Sequence, residues 1–126
     1  MKRSITILVI LAGIIALSVG SLLYLKQVDA EISGLLNASC QSVEQGDFSH
    51  AAKLAEQTQE KWEHHETYLS IFVRHNDLDE MTEVVAELKD YAEQKDAAMF
   101  CASADKAASL IRHIYESELP TVKNFF

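Results

Sequence analysis

The residues able to do chemistry are few and poorly grouped. His64, His65, Glu66 and His75 suggest a metal site, since imidazole and carboxylate are common zinc ligands. On a helix, however, adjacent His64 and His65 point about 100° apart and do not converge on one ion. Glu60 and His64 form an i,i+4 pair, but neither an HExxH nor an ExxH motif is present. His75 is read instead as a turn or cap residue, hydrogen-bonded near Asp77 or Asp79. Eight acids stand between residues 77 and 96, with Glu80, Glu83, Glu87 and Asp90 at helical spacing. No EF-hand loop holds them, so they read as a solvated helix face. Serines at 33, 39, 42, 49, 70, 103, 109 and 117 lack a nucleophile-elbow context. No glycine-rich loop is available to cradle a phosphate. No catalytic residue, cofactor or metal ligand set is assigned, and the chain is expected not to be an enzyme.

Trp62 falls on an apolar stripe, so core packing is the expected role. His65 and Leu69, one and two turns further on, would line a small groove beside it. Cys40 and Cys101 are the only cysteines and permit one intramolecular pairing. A bridge between them is one reading. The favoured reading is two buried free thiols, because staggered hairpins would hold the two beyond the roughly 7 Å Cα separation that a disulfide spans.

What must position these residues is a chain made of two chemically different pieces. Between Arg3 and Lys26 lie 22 uncharged residues, 16 of them hydrophobic. Ile5 to Leu25 covers about 31 Å as a helix, enough to cross the roughly 30 Å core of a bilayer. Tyr24 stands where an interfacial aromatic belongs, and Lys2 and Arg3 place the N-terminus in the cytoplasm by the positive-inside rule. The run exceeds the h-region of a signal peptide, so an uncleaved anchor is expected. Gly13 and Gly20 are not at GxxxG spacing. Residues 27–126 carry eight basic and 19 acidic residues, a balance that argues against nucleic acid binding. The same charge should keep the acidic helix away from anionic lipid headgroups.

Those 100 residues contain two glycines, one proline and 13 alanines, an all-helical composition. Ile32, Leu35, Leu36, Ser39 and Val43 form a stripe that continues the anchor helix to about Gln45. Gly46 then supplies a stop and Asp47 an N-cap. Helix two is expected from Phe48 to Arg74, with Phe48, Ala51, Ala55, Trp62, Leu69 and Phe72 inward and Ala52 and Val73 beside them. Asn76 or Asp77 caps helix three, whose stripe is Leu78, Met81, Val84, Val85, Leu88 and Tyr91 or Ala92. Glu93-Gln94-Lys95-Asp96 repeats Glu44-Gln45-Gly46-Asp47 after 49 residues. Asp96 is therefore read as a second N-cap, with Met99, Phe100, Ala104, Ala107, Ile111 and Ile114 inward on helix four. One unbroken helix over 77–118 is the rival reading. Pro120 is expected to end the helix.

The fold class expected is all-α: a transmembrane helix continuing into an up-down antiparallel bundle of two αα-hairpins. Residues 1–26 form the cytoplasmic stub and anchor, 27–119 the extracytoplasmic bundle, and 120–126 a C-terminal tail. A helix two of 27 residues overreaches its neighbours. It demands staggered hairpins or a bend near His64 and His65.

The anchor, the Gly46-Asp47-Phe48 turn, Ala51–Trp62, Leu69-Ser70-Ile71-Phe72-Val73 with His75 and Asp79, and the ending with Glu118, Pro120, Asn124, Phe125 and Phe126 together resemble domain-of-unknown-function family 4363, found mainly in Firmicutes. The resemblance covers nearly the whole chain. It implies a small N-terminally anchored helical protein of unassigned activity. It also implies a membrane partner, of the YetF-like kind encoded near family members. The expected role is an extracytoplasmic interaction or accessory protein, with residues 120–126 as an interaction element. The alternative is a ligand-sensing bundle that signals through a partner.

Overall fold

The computed structural model describes the backbone of residues 1–125 and the side chains of residues 1–118. It holds four helices, α1 (Lys2–Glu44), α2 (Phe48–Leu69), α3 (His75–Glu93) and α4 (Ala97–Phe125). Successive helices pack side by side and α4 closes back on α1. The result is an up-down-up-down bundle of two αα-hairpins, the fold class expected from the sequence. Among the described residues there is no strand.

α1 does two jobs without a break. Its first half is apolar yet bare: Ile5, Ile7, Leu8, Val9, Ile10, Leu11 and Leu17 are all exposed. This half is long and apolar enough to cross a membrane. From Leu25 onward the same helix turns one face inward, burying Leu25, Val28, Ile32, Leu36 and Val43. Leu25 and Val28 extend the stripe beyond the expected one, and Leu35 lies half-buried beside it. The core is completed by Trp62 and Leu69 of α2, Leu78, Met81 and Leu88 of α3, and Phe100, Ile111 and Ile114 of α4. Met99, expected inward, is 44% exposed. It follows the cap by three residues and lies off the face that Phe100 sets.

The two turns at one end of the bundle are near copies. Gly46 takes φ +80° and Lys95 φ +57°. Asp47 N–H donates to Ser42 O and Gly46 N–H to Val43 O, and Asp96 and Lys95 repeat this onto Tyr91 and Ala92. Both are Schellman endings, which satisfy the last helical carbonyls. Asp47 Oδ1 then accepts from His50 N–H and Asp96 Oδ1 from Met99 N–H, each at 3.1 Å. The 49-residue repeat is thus a repeat of structure, and the unbroken helix over 77–118 is excluded.

The third turn differs from expectation. α2 stops at Leu69, five residues before Arg74, and Arg74 rather than Asn76 or Asp77 precedes α3. Ser70 Oγ donates to Thr67 O, and Phe72 and Val73 N–H both reach Leu69 O. The tight winding tucks Val73 back under the core while Phe72 swings outward. α2 has 22 residues and α3 19, so neither stagger nor bend is needed. Pro120 does not end α4, which runs to Phe125. Inside a helix proline keeps a compatible φ but forfeits one hydrogen bond and crowds the carbonyl of the preceding turn, a cost that α4 bears here without ending.

Candidate functional site

The shortened α2 decides the fate of the cysteines. With the hairpins level, α1 and α4 approach through small residues, among them Ser39, Ser103 and Ala104, all buried. Cys40 and Cys101 sit at that approach with Cα atoms 5.1 Å apart and are joined as a disulfide. The free-thiol expectation is corrected, because the stagger it rested on is absent. Glu44 lies beside the bridge. Both sulfurs are spent in the bond, so no thiolate remains to hold a metal there.

At the opposite end of the bundle, α1 and α2 are tied by polar groups. Tyr24 and Glu31 stand two turns apart on α1. His65 of α2 reaches both: its Nδ1 lies 2.7 Å from the Tyr24 hydroxyl and its Nε2 3.4 Å from Glu31 Oε2. An ionised carboxylate only accepts, so a neutral His65 carries its hydrogen on Nε2 and accepts the Tyr24 hydroxyl on Nδ1. Lys61, one turn before His65, places Nζ 3.4 Å from Glu31 Oε1. The Tyr24 ring meets His65 and Tyr68 edge-on, with centroids 5.5 and 6.4 Å away. His65 is buried, although the sequence suggested it only as a weak metal ligand or as a residue lining a groove beside Trp62. Its spacing of three from Trp62 and four from Leu69 was the available sign that it faces inward. The array is a hydroxyl–imidazole–carboxylate chain. Its hydroxyl is committed to the imidazole, so its evident work is to fix the register of α1 against α2.

The remaining sequence candidates disperse. Trp62 is fully buried and its Nε1 donates to Thr82 Oγ1 at 2.9 Å. It packs in the core as expected. Leu69 is fully buried as well, so the small groove expected beside Trp62 is closed. His64 is exposed and lies against Tyr68, and Glu66 reaches Thr82 at 3.2 Å. His75 is the first residue of α3 and exposed, with Asp79 exposed one turn on. Asp77 is taken by Arg74, whose Nε lies 3.5 Å from it. The expected hydrogen bond from His75 to Asp77 or Asp79 is not among the described interactions. Thus His64, His65, Glu66 and His75 do not assemble a metal site among the described residues. Glu80, Glu83, Glu87 and Asp90 are all exposed, as a solvated face requires. Burial raises the Glu118 carboxyl above its ordinary pKa. The side chains of Pro120, Asn124 and Phe125, and Phe126 altogether, lie outside the described residues.

A four-helix hairpin pair with an apolar leading helix is thus the class of protein defined. The model of a domain of unknown function, DUF4363, matches residues 19–125, and the chain belongs to that family. No curated protein and no solved structure matches the chain significantly.

Proposed function

We propose that this protein is a single-pass, membrane-anchored accessory module that works by contact outside the cytoplasmic membrane and not by catalysis. The observation that carries the reading is the continuity of α1. Its bare apolar half needs a hydrophobic environment, and the same helix supplies a wall of the bundle. Lys2 and Arg3 favour a cytoplasmic N-terminus. The Cys40–Cys101 bridge fits an oxidising compartment for the bundle. The exposed acids of α3 offer a surface for a basic patch on a membrane partner, for which a YetF-like protein is the proposed candidate.

Two measurements test this. Protease added to wall-stripped intact cells should digest the bundle, whereas digestion only in inverted vesicles would reverse the topology. A photo-crosslinker at Glu83 should capture a membrane protein in native membranes. The capture should disappear when Glu80, Glu87 and Asp90 are changed to Lys. Capture that survives this reversal would remove the acidic face from the proposal.

A further inference from the structure

The turn between α2 and α3 faces the same way as the bare half of α1, and it is dressed unlike the rest of the bundle. Ile71 is 81% exposed, Tyr68 52% and Phe72 36%. Phe72 closes an open apolar groove of about 370 Å³ with Ala16, Leu17, Gly20 and Tyr24. Phe72 is therefore level with α1 residues that belong to the apolar segment itself. Below Ala16 only Ile5–Ile15 remain, 11 residues that cover about 16 Å as a helix. That is roughly half of a bilayer's hydrocarbon core. A membrane that covers the whole apolar run must rise to the level of Phe72.

Charge points the same way. From Thr67 to Asn76 there is no acidic residue, and Arg74 lies within that stretch. Arg74 touches Asp77 through Nε, yet its side chain remains 81% exposed. A long basic side chain beside aromatic and aliphatic ones suits the boundary between headgroups and acyl chains.

We infer that the Tyr68–Arg74 turn is a second membrane contact, which inserts Ile71 and Phe72 into the outer leaflet of the bilayer that α1 crosses and sets Arg74 among lipid phosphates. The inference rests on the reading of α1 as a membrane span. It turns the bundle from a head on a stalk into a body seated on the lipid surface, with the disulfide end directed away.

The test uses the full chain in phosphatidylcholine–phosphatidylglycerol vesicles. With the native bridge oxidised, an environment-sensitive fluorophore is attached to one added cysteine, in Ile71→Cys, Leu11→Cys or Lys95→Cys. Quenchers are either brominated acyl chains or aqueous iodide. The expected result is a blue shift and lipid quenching at positions 71 and 11, with iodide quenching at 95. Iodide quenching at 71 equal to that at 95 would overturn the inference. So would a probe at 71 shielded from both quenchers, which would mean cover by protein. If position 71 fails while 11 is lipid-quenched, the span stands and the second contact falls. If position 11 also fails, the span reading falls first.

Discussion

Trp62 is the largest side chain in the core, and its one polar atom is satisfied by Thr82. Trp62→Ala should lower stability by about 3–5 kcal/mol, through lost burial and the cavity left behind. Thr82→Val keeps the volume but strands the indole N–H, at a cost of about 1–3 kcal/mol. Denaturant unfolding followed by circular dichroism in detergent would rank the two, and equal losses would show that the hydrogen bond, not the ring, carries the site. Glu118 makes a prediction in pH. Its folded-state pKa is raised by burial, so the unfolded chain ionises first as pH rises and stability falls across that window. Glu118→Gln should therefore stabilise the bundle at neutral pH, and the two proteins should converge below the unfolded carboxyl pKa. A constant gap at acid pH would assign the effect to packing instead. The effect is small, because the carboxyl keeps much of its solvent. Trp62 was legible as a core residue because its periodic neighbours are local in sequence. The tie from His65 to Tyr24 and Glu31 was not, since it joins positions 34 and 41 residues away.

The matched turns are the clearest test of the helices as units. Both place a residue at positive φ, but one uses glycine and the other lysine. A side chain there costs about 1–2 kcal/mol in steric strain, which glycine avoids. Gly46→Ala should thus lower the melting temperature, and Lys95→Gly should raise it. Shifts of the same sign would break the equivalence of the two turns. Caps of this kind were readable because their chemistry is contained in four residues. The α2–α3 turn was not, because the cap-type residues Asn76 and Asp77 lie inside α3 and do not begin it. Its winding is fixed by Val73 reaching the core, a contact that sequence spacing alone does not reveal. That single misplaced ending also produced the false stagger, and with it the reading of Cys40 and Cys101 as free thiols.

At the scale of the molecule, composition separated an apolar segment from an acidic one but could not draw the line between them. Leu25 and Val28 are as apolar as any lipid-facing residue, yet both are fully buried in the bundle. The family match likewise begins at residue 19, inside the apolar run. Hydrophobicity reports transfer out of water and does not distinguish lipid from protein interior as the destination.

The Cys40–Cys101 bond also encloses all of α2 and α3 in a covalent ring. A single cut anywhere in that ring cannot shed a fragment. Trypsin cleavage after exposed Arg74 in detergent should leave one species on a non-reducing gel and two once reductant is added. Separation of the two halves without reductant, when Arg74 is the one site cut between Cys40 and Cys101, would show the bond to be unformed. A protein built this way outlasts its first proteolytic nick, and its complete removal requires either a second cut or a change in the redox state of its surroundings.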